Sequence, residues 1–168
     1  MINMGDYRIG KYEVAHLSYC KEMKNNDVCN EMKNNNKKSP IVKVTYDNAR
    51  TYAKKKGKRL CTKKEWLDAF VYEKNYSNIE KAYIGQGTDA KPVQIDSEYD
   101  ISDYNVYHMI GNVKEWINDG GKASIIGLSF KTPRLSQLKG ILNKAKQPVQ
   151  KFERLQTDDI GFRLCQSK

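Results

Sequence analysis

Gly111-Asn112-Val113-Lys114-Glu115-Trp116 is the stretch on which the fold of this chain turns. Gly and Asn enter a turn with positive φ more easily than other residues, so Gly111-Asn112 reads as a tight turn. Beyond it, Glu115-Trp116-Ile117 reads as a strand, with Trp116 filling the core beneath the loops, until Asp119-Gly120-Gly121 breaks the chain. Two further segments frame this one. Upstream stands Gly57-Lys58-Arg59-Leu60-Cys61-Thr62-Lys63-Lys64-Glu65-Trp66, which carries the chain from one helix into the next. Downstream, the Asp158-Asp159 turn leads into a final strand, Ile160-Gly161-Phe162-Arg163-Leu164-Cys165.

Helical spacing organises the region before the motif. Thr45 caps a helix whose apolar positions Tyr46, Ala49, Tyr52 and Ala53 recur three and four apart. Lys54, Lys55 and Lys56 favour its negative C-terminal end and Gly57 stops it. Thr62-Lys63-Lys64-Glu65 is a capping box, so a second helix starts there with Trp66, Ala69 and Phe70 as its buried stripe. Nearer the start, Arg8 to Val14 reads as a strand leading into a helix from about Ala15 to Lys24, with Leu17, Cys20 and Met23 inward. Asn25 to Lys38 is rich in Asn and Lys without periodicity, a mobile loop, and Pro40 to Val44 enters a strand. After the second helix the signals weaken. Gly85-Gln86-Gly87 marks a turn, Pro92-Val93-Gln94-Ile95 a short strand, and Ser124 to Phe130 another. Leu135, Leu138, Ile141 and Leu142 give an amphipathic helix.

At 168 residues the chain reads as one domain, 1–168, long enough to bury a single core. It has no run of about 18 apolar residues, hence no membrane span, and Met1 to Arg8 lacks the apolar region of a signal peptide. The formal net charge of +10 favours polyanions, acidic proteins or anionic surfaces. Lysines scattered over every segment fit a solvated surface equally well. Four cysteines, Cys20, Cys29, Cys61 and Cys165, allow three pairings. None forms a Cys-x-x-Cys pair, and His16 and His108 are the only histidines, which argues against structural zinc. Cys20 and Cys29 enclose a short polar loop that a local bridge could close. The alternative is four reduced, buried thiols. Disulfides would place the chain outside the cytoplasm, whereas reduced thiols would keep it there.

The three quoted segments, in this order, resemble the formylglycine-generating-enzyme/sulfatase-modifying-factor domain, a variant of the C-type-lectin-like fold, over about Arg8 to Cys165. The resemblance implies an α+β fold: a small twisted antiparallel sheet, two or three short helices and long loops. It implies a Cys61–Cys165 bridge between the helix region and the last strand, and favours Cys20–Cys29 as the other. The hairpin with which family members commonly begin reads as missing. In the family the central motif is usually Gly-Asn-Val-Trp-Glu-Trp, so Lys114 is the departure. Members that bind calcium there would use the carbonyls of Gly111 and Val113 and the carboxylate of Glu115. Their further Asn position falls on His108, whose imidazole is a poor ligand for a hard cation. Catalytic members hold copper with two cysteines just beyond a Ser-Phe pair, because thiolates suit soft Cu(I). Here that segment reads Ser129-Phe130-Lys131-Thr132-Pro133-Arg134, and no cysteine lies between Cys61 and Cys165. Iron-dependent sulfoxide synthases of related fold need several histidines. Both oxidative chemistries are disfavoured.

Lys131 to Arg154 carries seven basic residues against the single acid Glu153, on loops that cover the ligand face of this fold. The sequence therefore points to a noncatalytic binding module whose basic face, about 122–154, meets an anionic glycan or acidic protein. Lys131, Arg134, Lys139 and Lys144 are its candidate contacts, with Ser129 and Phe130 beside them, and no cofactor is expected apart from calcium. One alternative is an enzyme with an unrecognised metal-dependent site, built from His108, Glu115 and Asp119. Another is weak nucleic-acid binding through the basic segment, whose affinity would fall steeply with salt.

Overall fold

The chain opens with a hairpin, contrary to the expectation that it lacks one. In the computed structural model, which describes residues 1–24, 27–31, 37–151 and 153–168, β1 (Ile2–Asn3) runs antiparallel to β2 (Tyr7–Ile9), with Ile2 opposite Ile9. The α1 helix (His16–Glu22) is shorter than its expected span, and Ala15 at its N-cap offers no side-chain hydrogen bond. Its inward residues are His16 and Tyr19, while Leu17 stays 38% exposed. Tyr19 packs instead on Tyr52 and Phe162. A short α2 (Asp27–Glu31) interrupts the expected Asn25–Lys38 loop; positions 25, 26 and 32–36 of that loop lie outside the described residues.

Pro40 to Val44 makes no strand. Pro40 forms one isolated bridge to Ala15, and Lys43 adopts φ 58°, which turns the chain out of an extended path and into the next cap. The α3 helix (Tyr46–Lys55) follows its sequence signals closely. The Thr45 hydroxyl accepts the Asn48 amide, and Tyr46, Ala49, Tyr52 and Ala53 are all buried. After β3 (Arg59–Leu60) comes α4 (Lys63–Ala69), opened by a complete capping box between Thr62 and Glu65. Residues 70–113 then run mostly as loop around one 3₁₀ turn, Tyr76–Ile79. The expected strand at Pro92–Ile95 is absent because its amides are engaged elsewhere. Val93 donates to the Asn112 side chain and Ile95 to the Lys38 carbonyl.

The second half builds its own sheet. β4 (Lys114–Asp119) pairs antiparallel with β5 (Lys122–Ile126), placing Trp116 opposite Ile125. After α5 (Leu138–Ala145), β6 (Val149–Gln150) adds to the far edge of β5. The expected last strand is two strands. β7 (Ile160–Gly161) runs parallel to β4, and β8 (Leu164–Ser167) enters the other sheet between β2 and β3. The two four-stranded sheets have the orders β1-β2-β8-β3 and β6-β5-β4-β7. Five short helices accompany them among the described residues, more than the two or three read from sequence. Trp66 anchors one core cluster with Ile9, Met109 and Ile126, and Trp116 anchors the other with Tyr46, Ile160 and Phe162. No helix among the described residues is long and apolar enough to cross a membrane.

All four cysteines are bridged. Cys20–Cys29 closes a separation of nine residues and Cys61–Cys165 one of 104, both compatible with an extracytoplasmic location. The longer loop constrains the unfolded chain more. Replacing Cys61 and Cys165 together by Ala is expected to cost about 5 kcal/mol, and replacing Cys20 and Cys29 about 3 kcal/mol, read from urea unfolding midpoints. Alkylation of the denatured, unreduced protein should add nothing; one labelled thiol would contradict the pairing.

Candidate functional site

Two polar assemblies stand out, one sealed and one open. The sealed one begins where Asn112 takes φ 64°, as the turn reading requires. Gly111 does not adopt positive φ; its lack of a side chain lets the Tyr83 backbone approach, since a Cβ there would sit 2.8 Å from the Tyr83 carbonyl oxygen. That close approach aims the Gly111 and Ile110 amides at the buried Asp100 carboxylate, at 3.1 and 2.9 Å, and the Tyr72 hydroxyl also donates to Asp100.

Glu115 and Arg163 lie at the centre of this assembly, each 1% exposed. The Arg163 Nε and Nη2 donate to the Glu115 carboxylate at 2.6–2.9 Å. Nη1 also donates to the Gly10 carbonyl and Nη2 to that of Tyr107, and Trp66 Nε1 donates to Glu115. Burial pushes the Glu115 carboxyl up, an effect Arg163 only partly offsets. For Arg163, burial works against the charge, but Glu115 outweighs it and holds the guanidinium above its usual range.

His108, also at positive φ, faces acceptors on both ring nitrogens. Nδ1 lies 3.2 Å from Glu13 and Nε2 lies 2.8 Å from the Ser97 carbonyl. Burial alone would lower this imidazole, yet Glu13 and Asp100 together raise it above the ordinary histidine value. Asn112 closes the ring of contacts by donating to Glu13 at 2.9 Å. Among the described residues no buried side-chain nitrogen or oxygen is left without a partner.

This assembly corrects several expectations. Glu115 is held by Arg163 and Trp66 and is not free to take a ligand. The calcium set of Gly111, Val113 and Glu115 does not fit the ion, because a guanidinium already covers the one carboxylate that would bind it. His108, Glu115 and Asp119 do not form a metal site: the first two are engaged in the interior, and Asp119 ends β4 in the hairpin. No group of three or more potential metal-binding side chains occurs among the described residues. The copper implied by the resemblance does not fit either, since both pairs of thiols are joined as disulfides.

The open assembly is a groove of about 580 Å³ beside the second sheet. The segment Leu128–Phe130 is strung along the motif by backbone bonds, Leu128 to Ile110 and Phe130 to Asn112. It delivers Lys131, Thr132 and Pro133 to one wall, where Lys114, Lys144 and Lys151 join them. Asp159 is the groove's internal counterion. It accepts Ser129 Oγ at 2.7 Å, Lys114 Nζ at 2.8 Å and Thr157 Oγ1 at 2.8 Å. Burial would raise its carboxyl, but these three donors win and hold it below the usual carboxylate range. Lys131 reaches both oxygens of Asp158 at 2.7 Å.

Of the six residues read from sequence as ligand contacts, Lys131 and Lys144 line this groove. Ser129 and Phe130 are buried, one on Asp159 and the other in a small core with Val42 and Val113. Arg134 turns back to the carbonyls of Glu80 and Ala82. Lys139 is exposed on α5 and does not line the groove. Lys114 and Lys151 belong to it instead. Lys114 was flagged by its departure from the family motif; nothing in the sequence marked Lys151 out from its neighbours.

The model of the sulfatase-modifying factor enzyme 1-like domain matches residues 1–168, and the chain belongs to that family. The fold is shared with Treponema denticola variable protein 1 (TM-score 0.75, 15% identity, covering 96% of this chain and 84% of that one). It is shared with CarF as well (0.73, 17%, 96% and 86%) and with PvdO from Pseudomonas aeruginosa (0.68, 20%, 96% and 80%). No curated protein matches the sequence.

The buried network makes stability pH-dependent. The raised His108 pKa means its contribution is fully present below the unfolded value of 6.5 and is lost as pH rises through the folded value. Unfolding midpoints of the wild type should therefore fall from pH 6 towards pH 9, after allowance for other groups by comparison with His108→Gln. That variant should lose this part of the slope and be less stable at pH 6 by about 3–5 kcal/mol, because Glu13 stays buried without its cation. Glu115→Gln, which strips Arg163 of its counterion, should cost a similar amount in urea unfolding.

Proposed function

We propose that this chain is a noncatalytic binding module that takes an anionic ligand in the groove lined by Lys114, Lys131, Lys144 and Lys151. The observation that carries the reading is the groove itself: four lysines line one solvent-open cavity, together with the Lys131-Thr132-Pro133 segment. That segment stands where the resemblance puts the copper-holding cysteines. The chemistry offered there is charge and hydrogen bonding. Ammonium groups attract acids from a distance and orient them without reacting with them.

The rest of the molecule supports this reading. Neither disulfide lines the groove, and the only histidine in the motif region, His108, is sealed against Glu13 and Ser97. Glu115 has no oxygen to spare for a substrate. An acidic glycan or an acidic protein surface would meet the same lysines, with Lys122 and Arg154 extending the positive field along a neighbouring hollow. Nucleic acid ranks below these, since among the described residues no aromatic side chain lines the groove for base stacking.

Retention on sulfated polysaccharide and on polyglutamate at low salt tests the proposal. The wild type should be held and should elute as salt screens the charges. The double variant Lys131→Glu, Lys144→Glu should bind at least about tenfold more weakly, a loss of about 1.4 kcal/mol. A folded wild type that washes straight through both resins defeats the reading.

A further inference from the structure

We infer that the ligand of the groove is an anionic amphiphile, an alkyl or aryl body carrying one acidic head group. This rests on the reading of the groove as an anion site, and puts a single-headed amphiphile in place of the acidic glycan or protein surface as the molecule that carries the charge. Its apolar lining comprises Ile125, Leu128 and Ile160, which are themselves buried, and the more exposed Pro133, Val149 and Leu155. Val149, on the edge strand β6, is 49% exposed, the most exposed valine of the chain's large apolar side chains. A wholly hydrophilic polyanion would leave the exposed part of this lining, Pro133, Val149 and Leu155, wet. An apolar body would remove it from water, and about 580 Å³ lies within the range of small-molecule sites.

The charge arrangement sets the head group. Lys114 is balanced by Asp159 and Lys131 by Asp158. Lys144 and Lys151 face the same groove with no acidic partner among the described residues. An excess of two positive charges suits one head group of one or two negative charges, not a long chain of them. Ammonium groups are point charges with rotatable donors, so carboxylate and phosphate heads are both accommodated. The apolar lining then discriminates by the length of the body.

Isothermal titration with acetate, hexanoate and decanoate, with hexyl and decyl phosphate, and with inorganic phosphate tests this, each amphiphile kept below its micellar concentration. Affinity should rise by about fourfold for each methylene that reaches the apolar lining. Lys144→Glu with Lys151→Glu should weaken decanoate by about tenfold or more. Val149→Ser, on an exposed edge where folding is not at stake, should flatten the chain-length dependence and leave the response to the head group. The carboxylate and phosphate series report which acid is preferred.

Affinity independent of chain length, with inorganic phosphate or sulfated polysaccharide bound as well as decanoate, overturns the amphiphile and leaves the anion reading standing. Decanoate binding that survives both charge reversals places the chain elsewhere and also overturns it. Failure of every anion, the resins included, removes both.

Discussion

The Arg163–Glu115 ion pair is the constraint around which the molecule is arranged. Burying either charge alone is prohibitive, and burying both is tolerable only when every donor and acceptor finds a partner. Arg163 meets that condition by clamping Glu115 with Nε and Nη2, reaching the Tyr107 carbonyl with Nη2 as well and the Gly10 carbonyl with Nη1. These contacts join residues 10, 107, 115 and 163 at one guanidinium. Trp66 adds a fifth by donating its indole hydrogen to the same carboxylate.

Arg163 also stands at the crossover between the sheets. The two residues of β7 belong to one sheet, the four of β8 to the other, and Phe162-Arg163 passes between them. The path is narrow: a Cβ on Gly161 would lie 2.6 Å from the Ile41 carbonyl oxygen. Two residues past Arg163, Cys165 is bonded to Cys61 at the entrance to α4. A short terminal segment therefore fixes the relation of both sheets, the helix bearing Trp66 and the motif strand. His108, Glu13, Asn112 and Asp100 continue the same polar interior beneath the long loop of residues 70–113, where regular ladders are scarce and side chains satisfy the backbone instead.

What could be read in the sequence was what is decided locally. Thr45 and Thr62 cap helices through atoms three residues away, and the spacing of Tyr46, Ala49, Tyr52 and Ala53 needs no tertiary knowledge. The order of the three motif segments carried the family and the fold. The failures have physical causes of another kind. Lys43 turns to positive φ despite its apolar, strand-like neighbours, and Tyr19 displaces Leu17 from the inside because two rings, Tyr52 and Phe162, await it. The hairpin at residues 2–9 depends on β8, almost the whole chain away. The groove was half legible. Its basic segment was visible, but Ser129 and Phe130 are buried by Asp159 and by the small core of Val42 and Val113, residues far off in sequence. Lys114 could be found only as an oddity in a motif.

The lysines that rim the groove donate no hydrogen bond to the Arg163 network. Residues at positions 131, 144 and 151 can thus be exchanged without leaving any interior charge unmatched. Mutation can rewrite the recognition face while selection on folding watches a different set of side chains, so close descendants of one scaffold can diverge in what they hold long before they diverge in shape.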